Sequence, residues 1–117
     1  MNPQDPYDSC IVQASAGSGK TYQLSRRYLN IVGSGVPIQK ILTITFTRKA
    51  AAEMKQRIMQ DAVELLNNKS RQLEFDKDNS SYFLQYQHKQ KHQVRPRINA
   101  VETANIILSS TQLMKIT

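Results

Sequence analysis

The stretch VQASAGSGKTYQL, residues Val12 to Leu24, places two glycines and a run of small side chains immediately ahead of Lys20 and Thr21. Before it, CIVQA (Cys10 to Ala14) is a short apolar run rich in β-branched residues that stops at the glycines, as a buried strand does. After it, Leu24, Tyr28, Ile31 and Val32 recur at helical spacing, which predicts a helix from about Lys20 to Val32, closed by Gly33, Gly35 and Pro37. A glycine-rich loop between a buried strand and a helix is the arrangement that wraps a phosphate chain. Glycine lets backbone N–H groups turn inward with no Cβ in the way, and the helix N-terminus adds about half a positive charge. Ala14, Ser15, Ala16, Gly17, Ser18, Gly19, Lys20 and Thr21 are therefore the candidate nucleotide-binding residues. Lys20 would reach the β and γ oxygens and the Thr21 hydroxyl would be a ligand to Mg²⁺. The strict pattern has Gly where this chain has Ala14, and the plainer alternative is a glycine-rich turn in front of a helix.

Outward from the loop, ILTITF (Ile41 to Phe46) reads as a second strand, nearly all apolar as burial on both faces requires. Thr47 can cap the helix that follows, where Ala50, Ala51, Met54, Ile58, Ala62, Leu65 and Leu66 form an apolar stripe to roughly Leu66. Strand, helix, strand, helix at these spacings suits a right-handed parallel crossover and an α/β fold. Residues 1–67 are read as this β-α-β-α core. The composition then turns polar, and 68–97 reads as an insertion or a mobile helical excursion. Residues 98–117 return to the same domain, with Val101, Ala104, Ile107 and Leu108 as the stripe of a helix over Ile98 to Leu108, and LMKIT as the opening of another strand.

A chain of 117 residues is one ordinary domain at most, or part of a larger one. Sixteen Lys and Arg against nine Asp and Glu give a net charge of +7, which favours a polyanionic partner without specifying it. No apolar run is long enough for a signal peptide or a membrane span, so a cytoplasmic protein with no membrane partner is expected. Cys10 is the only cysteine, which excludes an internal disulfide and a thiolate metal cluster. His88 and His92 have i, i+4 spacing, but Lys89 stands where a zinc-protease motif needs Glu, and no third ligand is evident. The basic run from His88 to Arg97 reads first as a solvated linker, and second as a nucleic-acid patch beside Tyr82, Phe83 and Tyr86.

ASAGSGKT followed by ILTITFTRKAAAEMKQRI (Ile41 to Ile58) resembles the UvrD-like superfamily 1 DNA helicases, in which an Ala or Gly opens the loop and a TFT-Arg/Asn-KAA segment follows. The resemblance covers residues 9 to 58. Within that family it looks more like the AddA and RecB subunits of recombination helicase–nucleases, and SSTQLMKIT is loosely similar to the approach to the family's next segment. It implies a P-loop NTPase fold, a RecA-like parallel sheet with flanking helices that is here only partial. It implies ATP and Mg²⁺ as cofactors, with Lys20 and Thr21 as the catalytic residues on the phosphates. It further implies single-stranded DNA as a partner, contacted by Thr45, Phe46, Thr47 and Arg48, and a recombination partner protein. On the residues alone, Phe46 fits a base contact and a strand-end core position equally. Lys49, Lys55 and Arg57 read as a solvated helix face, and Glu53 and Met54 as packing residues.

Hydrolysis needs a carboxylate at a strand end to hold Mg²⁺, another to orient water and an arginine for the developing charge. No apolar strand of this sequence ends in an Asp-Glu pair, and no adenine-reading glutamine stands at the expected spacing. The expectation is the ATP-binding N-terminal part of an AddA/RecB-like motor, incomplete and inactive alone. The alternatives are a nucleotide- or DNA-binding module that is no part of a motor, a small-molecule kinase, and a truncated product with an unpaired sheet edge.

Overall fold

The computed structural model describes Gln4, Pro6, residues 19–89 and residues 97–117, without the side chains at 19, 20 and 87–89. The expected strand Cys10 to Ala14 and loop positions 14 to 18 lie outside the described residues. Four helices run in order: α1 (Gly19–Gly33), α2 (Arg48–Asn67), α3 (Lys69–Lys89) and α4 (Ala100–Ser109). Two short strands, β1 (Leu42–Thr43) and β2 (Lys115–Ile116), pair in parallel, with Leu42 opposite Lys115 and Thr43 opposite Ile116. The described architecture is thus α/β, mostly helical around a small parallel sheet, with α2, α3 and α4 forming the connection between its strands.

α1 ends by a double closure. The Val36 N–H donates to the Ile31 carbonyl and the Gly35 N–H to that of Val32, and Gly35 adopts φ 97°, a left-handed conformation that costs a glycine little. Pro37 follows and prevents any continuation. α2 starts where the Thr47 side chain accepts the Ala50 N–H at 3.0 Å, satisfying one donor of the first turn. Asn68 closes α2 through its N–H to the Glu64 carbonyl, and its side chain receives the Arg71 N–H to open α3. α4 begins at Asn99, whose side chain accepts the Glu102 N–H at 2.8 Å.

The core is one cluster built from every helix. α2 contributes Met54, Ile58, Ala62 and Leu65, α1 Tyr28, Leu29 and Val32, α3 Phe75, and α4 Ala100, Ala104 and Ile107. Alanines on both α2 and α4 shorten the side chains between them, and these two helices pack along much of their length. α3 buries Arg71, Phe75 and Asn79 at steps of four residues. Only one of these is apolar, so the helix is held largely by polar contacts. Asn79 donates to the Asn30 side chain at 3.0 Å, and the Asp76 carboxylate accepts the Ala100 N–H at 2.9 Å.

The second strand departs from expectation. Only Leu42 and Thr43 lie in the ladder, and the run alternates: Thr43 is buried, while Leu42, Ile44 and Phe46 are 60 %, 74 % and 84 % exposed. One sheet face therefore packs on the helices, and among the described residues no element covers the other. Val101, expected inside α4's stripe, is exposed, and Thr103 takes its place in the core.

Candidate phosphate and nucleic-acid site

Two helix N-termini carry the candidate residues. α1 opens at Gly19, so the backbone N–H groups of Gly19, Lys20 and Thr21 belong to its first turn and have no acceptor within the helix. These donors suit a polyphosphate. Thr21 is half-buried at this end. Of the expected nucleotide-binding residues, Ala14, Ser15, Ala16, Gly17 and Ser18 lie outside the described residues.

One turn further along α1, Tyr22 is held between two guanidinium groups. Arg26 lies 4.8 Å and Arg57 of α2 5.6 Å from its ring centroid. Arg57 also contacts both oxygens of Asp61, at 3.2 and 3.3 Å, and Asp61 accepts the hydroxyl of fully buried Ser25 at 2.5 Å. Arg57 is thus a cross-link between α2 and α1 rather than part of a solvated face, whereas Lys49 is exposed. On the same flank Arg26 donates to Glu74 of α3 at 2.6 Å, and Arg71 reaches the same oxygen at 3.3 Å. The Arg26 hydrogen bond, more than the Arg71 charge, holds the Glu74 carboxyl below the ordinary glutamate range. Burial lowers the Arg71 guanidinium from its usual value, and neighbouring Arg26 adds to the effect.

The turn from β1 into α2 holds the other four residues. Phe46 stands at its apex, 84 % exposed, with Thr47 and Arg48 exposed beside it. Thr45 behaves differently. Its N–H donates to the Thr117 carbonyl at 2.5 Å, and its hydroxyl lies 2.9 Å from that oxygen and 3.0 Å from the Thr47 carbonyl. The structure therefore brings Thr45, Phe46, Thr47 and Arg48 together at one sheet end, with an aromatic face open to solvent as base stacking requires. Every described acid after the loop lies on a helix, with Glu53, Asp61 and Glu64 on α2, Glu74, Asp76 and Asp78 on α3, and Glu102 on α4.

The sequence profile of the UvrD/REP helicase N-terminal domain matches residues 3–116. The chain belongs to that family. It is 44 % identical over 96 residues to the AddA subunit of the ATP-dependent helicase/nuclease of Lactobacillus gasseri, and 38 % identical over 96 residues to that of Lactobacillus johnsonii. Each alignment covers 82 % of this chain and 6 % of the relative. The AddA protein of Enterococcus faecalis is 52 % identical over 54 residues, 46 % of this chain and 4 % of that protein. The chain thus spans only a small fraction of the length of these relatives. No solved structure matches it.

Within this UvrD/REP domain, sequence reasoning missed the buried polar link that holds α3 on α1. Asn30 of α1 and Asn79 of α3 are buried polar residues bonded to each other across 49 positions of sequence, and no local pattern announces such a pair. No described helix is long and apolar enough to cross a membrane. Among the described residues no group of three or more His, Cys, Asp or Glu could hold a metal ion. His92 of the histidine pair lies outside the described residues.

Proposed function

We propose that this chain is the ATP-binding N-terminal part of an AddA/RecB-like helicase, a partial RecA-like P-loop domain whose whole protein couples ATP hydrolysis to translocation on single-stranded DNA. The observation that carries the reading is the family match across residues 3–116, joined to a strand-to-helix turn that leaves Phe46 open beside two hydroxyl-bearing residues and Arg48. In this reading residues 14–21 wrap the triphosphate, Lys20 neutralises the β and γ oxygens, and the Thr21 hydroxyl is a ligand to Mg²⁺. The first-turn amides of α1 fit such a group by donor chemistry alone. Mg²⁺, when bound, supplies charge to the leaving phosphates.

Phe46 stacks a base, while Thr47 and Arg48 hold the adjoining backbone of the strand. In this reading the chain alone binds nucleotide without multiple turnover. The 1–67 core, the 68–97 insertion and the 98–117 return form one domain in this reading, working in the cytoplasm beside a recombination partner protein.

Titration of the purified chain with a fluorescent ATP analogue and Mg²⁺ tests the phosphate role. Lys20→Ala is expected to weaken binding about tenfold, as loss of a charge-assisted contact does. Equal affinity for both versions would remove the phosphate role. Binding of labelled oligothymidylate that falls with salt and about tenfold with Phe46→Ala would support the DNA role. Salt-dependent binding indifferent to both substitutions would favour a binding module unrelated to a motor.

A further inference from the structure

The four residues at the β1–α2 turn do not have equivalent chemistry. A threonine brings two donors, its N–H and its hydroxyl proton. At Thr45 both are engaged inside the molecule: the N–H serves the Thr117 carbonyl, and the single hydroxyl proton is shared between the carbonyls of Thr117 and Thr47, 2.9 and 3.0 Å away. Phosphodiester oxygens only accept, so the remaining lone pairs of this hydroxyl have nothing to offer a nucleic-acid backbone. Thr47 is the reverse case. Its oxygen accepts the Ala50 N–H, which leaves its own proton available to donate.

We infer that Thr45 is a positioning residue rather than a contact: its hydroxyl ties the turn to the end of β2 and so fixes the direction in which Phe46 and Thr47 are presented. The physical ground is local. The Thr45 hydroxyl reaches across Phe46 to the carbonyl two residues on, pinning the residue between. The Thr47 carbonyl also accepts the Ala51 N–H at 3.0 Å, so the same atom starts α2. The Thr117 carbonyl accepts from Thr45 and the Thr117 N–H donates to Thr43 at 2.9 Å, so the brace is anchored on the ladder itself. One side chain thereby couples strand end, turn apex and helix start. The assignment rests on the DNA reading above only for its functional consequence; the brace exists without a ligand.

The chain contains no tryptophan, so Phe46→Trp gives a single fluorescent reporter at the apex of the turn. In the 117-residue chain without DNA, adding Thr45→Val to this reporter is expected to lower the slow component of its time-resolved anisotropy, while Thr45→Ser, which retains the hydroxyl, leaves it unchanged. In the Phe46 background, Thr45→Val is expected to weaken oligothymidylate binding about fivefold, Thr45→Ser to restore it, and Thr47→Val to weaken binding without loosening the reporter. Reporter mobility unchanged by Thr45→Val overturns the inference, whether or not DNA affinity falls, and a fall in affinity alone would make Thr45 a direct contact. Should Thr45→Val lose its helical circular dichroism, Thr45→Ala serves the same comparison. If Phe46→Ala and Thr47→Val leave DNA binding intact, the DNA reading fails while the anisotropy arm still decides the brace.

Discussion

At the scale of single residues, two buried hydroxyls carry more energy than their size suggests. The Tyr28 hydroxyl and the Thr103 Oγ1 are buried with no hydrogen-bond partner among the described residues. A buried hydroxyl left without a partner costs roughly 1–3 kcal/mol, because it has given up water and received nothing. Tyr28→Phe and Thr103→Val keep the packing and remove that cost, so each is expected to raise the melting temperature by about 4 °C, measured by calorimetry. Burial pushes the Tyr28 phenol up to about 12 from 10.0. The folded state then holds its proton more tightly than the unfolded chain does. The associated stability is complete below pH 10 and is lost as pH rises from 10 to about 12, a loss of roughly 2–3 kcal/mol. Tyr28→Phe should remove this share of the alkaline loss in urea titrations at about pH 9 and about pH 11. An identical decline in both proteins would show that the phenol ionises without cost.

At the scale of elements, glycines 33 and 35 do different work. Gly35 supplies the left-handed turn that ends α1, whereas Gly33 makes room for α3. A Cβ added at Gly33 would stand 2.7 Å from Cζ of Phe75, a rigid ring that is 1 % exposed, and 3.5 Å from the Thr103 Oγ1. Alanine would ordinarily favour the helix by about 1 kcal/mol, but the overlap exceeds that gain. Gly33→Ala should destabilise the chain by about 1–2 kcal/mol in urea unfolding, and adding Phe75→Leu should recover part of the loss. Strict additivity of the two changes would exclude the clash as its cause.

The same elements explain what was legible in advance. α1 and α2 were readable because Gly35, Thr47 and the stripe from Met54 to Leu65 are local signals. α3 was not readable as a packed helix, since its buried face is Arg71, Phe75 and Asn79, and hydrophobic periodicity cannot register a face that is two-thirds polar. The exposed row of β1 was hidden for the opposite reason: an apolar run looks the same whether one face is covered or two. At the candidate site, Phe46, Thr47 and Arg48 could be picked out from sequence. The role of Thr45 could not, because one of the two oxygens that engage its hydroxyl, and the one that ties the turn to β2, lies 72 residues away.

At the scale of the whole molecule, net charge and the exposed apolar side chains along β1 pull in opposite directions. The net charge of +7 keeps copies apart at low salt, while Leu42, Ile44 and Phe46 offer an apolar row beside a short strand edge. Salt screens the repulsion over about 10 Å at 0.1 M and less at higher concentration, but leaves the apolar attraction in place. Self-association should therefore strengthen as salt rises, the reverse of the trend expected for oligothymidylate binding. Ile44→Lys tests the surface responsible. With 74 % of its surface exposed, Ile44 contributes little packing, so the substitution should change unfolding free energy by less than about 0.5 kcal/mol. The added charge in the centre of the row should abolish the salt-promoted association seen by sedimentation velocity. If association persists unchanged in Ile44→Lys, the copies meet elsewhere, and the row of Leu42, Ile44 and Phe46 is not what drives them together.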